Sequence, residues 1–540
     1  MRWLPFFAAA TVSCESASIR AHTSCGALDG VVTSAAGSPV ASFLGLSYGV
    51  VPGRWRAPLP APCWSGVLNA SAYGPICVQA SGAGSEDCLS LNVFSPLAPS
   101  GVLPSALPVM VYIHGGSLVE GSGAFERTAA FSVKTSCVSV TLNYRLTFEG
   151  WLLSAGMLSE GSTANFGVLD LQLALGWVQR EIKNLGGDPT RVTLAGQSSG
   201  GTAIFALLSS PASAGLFSGA IALSGSPNIT QDLPSKLAQD AAFVVAVGCG
   251  GLQPGMEMAC LRGANLSTLV AKQLTSWFTP GIFATEALRP SGFAGVYGGL
   301  VFVDGAVVTA PFEDAFAAPT VDVPVIMGNM AQENDFNSGM SNLTLPQWRE
   351  WLVQHIGAKW GANSTPFSDA LYARYLADAL LDVQRAYSSI HADYSCSCAF
   401  SAVAARAKRA GRRRSPVYVH YNQWQPSAGG RRWAYHTWDY ACAFENFPIT
   451  PGPTELAHAA FLQSAWGSLL HTGRVNASAS WGWGSVEEVP GWPDHVGIMR
   501  ISNETLAPFQ GPAFVPDLRG DACTTLANFG VGSSNFWWVN

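Results

Sequence analysis

The sequence carries little charge: Asp, Glu, Lys and Arg make up only 12% of its 540 residues. Basic residues are in the minority, with 29 Lys and Arg against 35 Asp and Glu and a formal net charge of −6. A nucleic-acid-binding face needs a concentrated positive field, so this balance argues against that class. Beyond the N-terminal region no run of about 20 apolar residues occurs, which argues against a membrane-spanning helix. Repeats, low-complexity tracts and linker-like stretches are also missing. The length alone would accommodate about three or four domains, yet nothing divides the chain. Metal-ligand patterns are lacking too. Cys396-x-Cys398 is too closely spaced for an ordinary zinc pair and has no second pair to complete it.

What is present is apolar bulk: 48% of the residues are hydrophobic, enough for one large core. Met1 to Ala21 reads as a secretory signal, with Arg2, the apolar run Trp3–Val12 and then small and polar residues. That run is too short to cross a bilayer. Residues 22–540 then form a single domain. Seven Asn-x-Ser/Thr sequons, at Asn69, Asn228, Asn265, Asn342, Asn363, Asn476 and Asn503, fit a glycosylated secreted protein. The tail from Thr524 to Asn540 carries no retention signal and no long apolar stretch of the lipid-anchor kind. Twelve cysteines in an oxidising compartment imply disulfides. Loss of Cys14 with the leader leaves eleven, an odd number, so at least one thiol stays unpaired. Cys137, inside the apolar run Cys137–Leu142, is the candidate for a buried, inert one.

Along the chain, Gly30 to Gln79 reads as short strands and turns. Val109–Ile113, Val138–Tyr144, Val323–Met327 and Val417–Tyr421 are apolar runs of interior-strand type, and Asn165–Leu185 has a helical apolar face. Apolar strands alternating with helices predict an α/β protein whose mostly parallel sheet is covered on both faces. The stretch that organises the chain is Arg191–Ser210. It reads as a buried strand over Val192–Ala195, a tight turn, and an apolar helix from Ser199 to Leu208. At the turn stands Gly196-x-Ser198-x-Gly200. A strand reversing sharply into a helix strains the central residue and lifts its hydroxyl above the sheet, with a helix N-terminus behind it. A second copy, Gly45-x-Ser47-x-Gly49, is read as having no strand before it and no helix after it, so Ser198 is the nucleophile candidate. Arg406–Arg414 is the only basic run. Its reading is a set of cations near a helix C-terminus, where the dipole favours them; contact with an anionic surface and proteolytic processing are the alternatives.

Four segments in order resemble the type-B carboxylesterase/lipase family, the cholinesterase-like branch of the α/β-hydrolases, and together span nearly all of the mature chain. They are Ser85–Val93; Tyr112-Ile-His-Gly-Gly-Ser117; Asn165–Asp170 through Gly186–Pro189 to Gly196–Gly200; and Trp466–Gly473 with Trp492-Pro493. The resemblance implies an α/β-hydrolase with a Ser–Glu–His triad. Glu333 falls where the family places its acid, although Asn334 stands where Gly is usual. His436 falls in the His loop, with Thr437 in place of Gly and a carboxylate at Asp439. The competing histidines are read otherwise: His114 in the oxyanion loop, His420 within a strand, His355 and His471 on helices. The amides of Gly116, Ser117 and Ser199 would bind the oxyanion. A third Gly is common where Ser117 stands, so its side chain should narrow the acyl side of the pocket. Gln197 replaces a frequent Glu, removing a negative charge beside the nucleophile. By the same resemblance Cys77 pairs with Cys88, Cys249 with Cys260, and Cys523 with Cys398 or Cys396, leaving Cys25, Cys63 and Cys442 unassigned. Arg54–Glu86 and Arg145–Asp170 match the family's ion pairs, both taken as buried.

Acyl transfer by such a set needs a nucleophile, a base, an acid that orients it and oxyanion donors; it needs no cofactor and no metal. The expected partner is a small-molecule or lipid ester, and thioesters and amides are not separated from esters by the sequence. The loop from Cys77 to Cys88 lacks the tryptophan that would hold a quaternary ammonium, which disfavours choline esters. The rival reading is a non-catalytic adhesion protein of the same fold. Oligomeric state is not legible.

Overall fold

The structure is a computed structural model and describes residues 17–162, 164–274, 300–333, 340–355, 363–426, 433–475, 485, 497–501, 513–516 and 518–529. Its centre is a 13-stranded sheet. Three long strands start one edge: β1 (Ser18–Thr23), β2 (Gly26–Ala35) and β3 (Ser38–Ser47), antiparallel to one another, with a short strand at Val67–Asn69 flanking β2. β4 (Ser90–Pro96) follows antiparallel to β3. The middle is β5 (Leu107–Ile113), β6 (Val138–Leu142), β7 (Gly187–Gln197), β8 (Gly219–Leu223), β9 (Val325–Met330) and β10 (Val417–Asn422), in the spatial order β6-β5-β7-β8-β9-β10 and all parallel. Every residue of β6, β8, β9 and β10 is buried, as parallel strands covered on both faces require. The strands at Gly497–Ile501 and Ala513–Pro516 close the other edge.

The helix Phe166–Glu181 fills the expected span and tightens into a 3₁₀ turn over Ile182–Leu185. The early region differs from its reading. β2 and β3 are ten residues each, not short, and β1 begins at Ser18, inside the stretch to Ala21 read as leader. Ser47 does end a strand, contrary to its reading, but it is exposed, and a two-residue strand rather than a helix follows it. A second core cluster, separate from the main one, joins Trp348, Leu371, Tyr387, Ile390 and Leu526.

Four disulfides fasten loops around this frame: Cys25–Cys63, Cys77–Cys88, Cys249–Cys260 and Cys398–Cys523. Cys398, not Cys396, is the partner of Cys523. Cys137, Cys396 and Cys442 are unpaired and buried, and burial raises all three thiols, Cys137 to about 12, so none is a thiolate at neutral pH.

The two ion pairs differ in burial. Arg145 meets Asp170 in a two-pronged contact, Nε–Oδ2 at 2.9 Å and Nη2–Oδ1 at 2.7 Å, with side chains 2% and 0% exposed. Arg54 and Glu86 also pair, but Glu86 is 43% exposed, so this contact is no buried pair and contributes at most about 1 kcal/mol. Beside it lies an unanticipated group. Glu149 is buried against the Glu86 carboxylate, Arg145 and Arg54, and its Oε1 has no hydrogen-bond partner among the described residues. Burial first, then repulsion from Glu86, pushes its carboxyl up to about 8, against the pull of the two guanidinium groups. Its folded value therefore exceeds the unfolded one. From about pH 4.5 to about pH 8 the native state keeps a proton that the unfolded chain has lost, so stability falls as pH rises. Glu149→Gln removes the titration. The variant should gain on the wild type by about 3 kcal/mol between pH 5 and pH 8, read as a widening gap between denaturation midpoints. A constant gap across that range would mean that Glu149 is ionised in the native protein.

Candidate active site

At the C-terminal end of β7 the chain turns through Ser198 into the helix Ser199–Leu208, whose residues are all buried. Ser198 has φ 58° and ψ −130°, a conformation that costs a non-glycine residue roughly 1–3 kcal/mol. The flanking glycines make it possible. A Cβ on Gly200 would stand 2.1 Å from the Ile113 carbonyl oxygen, and one on Gly196 would stand 2.7 Å from Gly200, so strand and helix could not meet at this angle.

Glu333 follows β9, and its loop is tied in place by its own N–H, which donates to the Ser388 carbonyl at 3.1 Å. The carboxylate is held at both oxygens. Oε1 accepts from the Ser224 hydroxyl at 2.6 Å and the Met330 amide at 2.8 Å, and Oε2 meets His436 Nδ1. Burial raises the Glu333 carboxyl against the downward pull of His436 and these donors. With Nδ1–H facing a carboxylate, the neutral imidazole keeps its lone pair on Nε2. The Gln197 side-chain amide donates to that Nε2 at 3.0 Å. The structure thus brings Glu333 and His436 together across 103 residues and places both on the same side of the sheet as Ser198.

The loop read from the sequence as the oxyanion loop follows β5. Gly116, Ser117 and Leu118 have successive positive φ values of 106°, 59° and 60°. Leu118 N–H donates to the Ser199 hydroxyl at 3.0 Å, which fixes the loop to the helix behind Ser198. A Cβ on Gly115 would lie 3.0 Å from that of Ser198, so the loop runs directly over the turn. Among the described residues no acceptor takes the amides of Gly116, Ser117 or Ser199.

The other histidines fall elsewhere. His114 is buried below the loop, stacked on Tyr144 at 4.5 Å, with burial lowering it to about 4. His420 lies in β10, 3.7 Å from Asp439, the carboxylate that the sequence placed beside His436. His471 meets the Thr135 carbonyl oxygen at 2.8 Å, and His355 ends a helix. His391, not singled out in the sequence, is a buried neighbour held well below its ordinary value by burial and by His436. Sequence reasoning also missed Ser224 as the hydroxyl on Glu333; the available signal was a polar residue at the end of the apolar run Gly219–Leu223. Two departures from the resembled pattern gain a physical meaning. Ser117 and Thr437 stand where Gly is usual, and both have positive φ, 59° and 77°. Asn334, Trp492, Pro493, Asn476, Asn503 and Cys14 lie outside the described residues.

A parallel sheet clad in helices, with a strained serine between strand and helix, defines an α/β-hydrolase. The chain matches the carboxylesterase family over residues 17–488. It is 30% identical to the fumonisin B1 esterase of Sphingopyxis macrogoltabida over 488 residues, 87% of this chain and 82% of that one. It is also 30% identical to the para-nitrobenzyl esterase of Bacillus subtilis, over 82% of this chain and 88% of that one. A solved PNB esterase superimposes with a TM-score of 0.68 at 25% identity, covering 94% of this chain and 99% of the other. The chain belongs to the carboxylesterase family and is a carboxylic-ester hydrolase. No described helix is long and apolar enough to cross a membrane.

Proposed function

We propose that the chain is a secreted serine esterase that works through an acyl-enzyme on Ser198. Ser198 attacks the ester carbonyl while His436 Nε2 takes its proton, and Glu333 holds the imidazole in the tautomer that leaves Nε2 free to do so. For that step the Gln197 amide gives way to the serine hydroxyl. The oxyanion is received by the amides of Gly116, Ser117 and Ser199, each worth roughly 3 kcal/mol in the transition state. The alcohol leaves with the proton from His436, and water attacks the acyl-enzyme by the same route in reverse. The observation that carries this reading is the conjunction of the Glu333–His436 pair with three unclaimed amides around a strained serine.

The substrates are uncharged carboxylic esters or lipids. Gln197 contributes no negative charge beside the serine, and the loop closed by Cys77–Cys88 carries no tryptophan to face a quaternary ammonium. Secretion is supported by four disulfides and by exposed sequon asparagines at 69, 265, 342 and 363. Because β1 starts at Ser18 and pairs along its length with β2, we place the end of the leader ahead of Ser18 rather than at Ala21.

Treatment with a fluorophosphonate, followed by peptide mapping, tests the nucleophile. One adduct is expected, on the peptide bearing Ser198, and none in Ser198→Ala. Folded wild-type protein that takes no adduct would return this fold to a binding or adhesion role.

A further inference from the structure

Residues 406–414 hold six of the chain's 29 Lys and Arg: Arg406, Lys408, Arg409, Arg412, Arg413 and Arg414. The helix Cys398–Ala410 ends here, and Gly411 at φ 66° closes it by donating its N–H to the Ala407 and Lys408 carbonyls. Two of the cations are anchors. Arg406 pairs with Glu313 and Asp314, and Arg413 lies 4.0 Å over the Phe316 ring while donating to the Val323 carbonyl. Asp322 accepts from the Arg414 and Ser415 amides at 2.9 and 3.1 Å, which makes the turn rigid. Lys408, Arg412 and Arg414 are left exposed, and among the described residues none has an ion-pair partner. Lys408, Arg412 and Arg414 thus place three positive charges, unpaired among the described residues, together on a protein of net charge −6. Arg412 and Arg414 stand beyond the helix, so its dipole does not account for them. Arg413 is tucked against Phe316, which also makes the run a poor substrate for a protease that must extend it.

We propose that Lys408, Arg412 and Arg414 form a docking site for a sulfated polysaccharide chain. The guanidinium groups of Arg412 and Arg414 match the paired oxygens of a sulfate, and the preordered backbone of the turn loses little freedom on binding. A lipid surface is disfavoured because the segment exposes no large apolar side chain to bury. A single-stranded nucleic acid is disfavoured because the segment has no aromatic ring on which a base could stack. The turn precedes β10 at its N-terminal end, whereas Ser198 and Glu333 follow the C-terminal ends of parallel strands, about 20 Å away along a six-residue strand. A docked chain therefore leaves the catalytic face open.

Heparin is the probe, used with the full-length secreted protein. The wild type should be retained on immobilised heparin at low ionic strength and released as NaCl rises. Lys408→Ser/Arg412→Ser/Arg414→Ser should bind at least about tenfold more weakly, with an unchanged denaturation midpoint and unchanged hydrolysis of p-nitrophenyl acetate. Retained wild type should hydrolyse that ester at the rate of the free protein. Flow-through of the wild type at low salt, or equal retention of the triple variant, overturns the site. Preferential capture by phosphatidylserine vesicles, lost in the triple variant, assigns the turn to membranes instead. Inhibition on the heparin matrix overturns the placement away from the catalytic face.

Discussion

Ser198→Ala should lower kcat/KM for a simple carboxylic ester by about 10⁵–10⁶-fold while leaving the denaturation midpoint at or above that of the wild type. The size follows from the geometry. Without the hydroxyl no acyl-enzyme forms, and the oxyanion amides and substrate binding alone remain to favour the reaction. The unchanged or raised stability follows because alanine keeps the same backbone conformation and the Ser198 hydroxyl makes no cap hydrogen bond that its removal would break. His436→Ala should cost nearly as much, and the double variant no more than either single one, because the two residues act as one unit. Glu333→Gln should cost less, about 10⁴-fold, since it disturbs the tautomer and orientation of His436 but removes neither reacting group. A Ser198→Ala protein that retains a tenth of the wild-type rate would show that ester hydrolysis proceeds at another residue. A double variant far slower than both singles would show that the residues act independently.

The second large effect is on stability. Asp170→Asn keeps the shape of the buried Arg145 contact but withdraws its charge. Arg145 is 2% exposed, so its cation would lose its paired carboxylate in the interior, where burial keeps the neighbouring Glu149 protonated. Its remaining contacts, the Arg56 carbonyl at 2.8 Å and the Phe166 ring at 5.0 Å, offset only part of that. The expected loss is about 3–5 kcal/mol, or about 3–5 °C in apparent midpoint for a chain of this length. Replacing Glu86 by Gln, across the half-exposed contact to Arg54, should change the midpoint by less than a degree or so. Equal losses at the two sites would contradict the burial difference on which both expectations rest.

The parts of the site that could be read from the sequence are local ones. Strand, turn and helix at Ser198 are encoded within twenty residues, by an apolar run, flanking glycines and a second apolar run, and the helix spans the residues assigned to it. Glu333 and His436 have no such local signature; only the resemblance placed them, because their pairing spans a sequence separation of 103. Ser224 and Gln197 show the limit. Each donates to a member of the pair; Gln197 was visible only as a lost charge beside Ser198, and Ser224 is not distinguishable in sequence from an ordinary polar residue near a strand end. The outer strands were understated for a different reason: β1 lies in a stretch whose composition also fits a leader, and antiparallel edge strands with a mixed polar face lack the apolar run that marked β5 and β9. Ser117 and Thr437 were visible as departures, but that both sit at positive φ depends on backbone geometry that no residue letter carries.

The second core cluster has a consequence for how the enzyme is made. The amide of Glu333 rests on the carbonyl of Ser388, which lies on the helix Val383–Ala392. That helix packs in the cluster completed by Ala522 and Leu526 of the helix Gly520–Asn528, and Cys398–Cys523 ties the next helix, Cys398–Ala410, to the same element. Ser198 and the oxyanion loop belong to parallel strands synthesised hundreds of residues earlier. During translation, then, the turn bearing Ser198 has its neighbours well before the loop bearing Glu333 has its support. A ribosome that stops short of the last cysteine releases a chain with the serine in place and the loop bearing Glu333 unbraced. Truncation ahead of Cys523 is therefore expected to lower esterase activity, read as the rate of ester hydrolysis per folded chain.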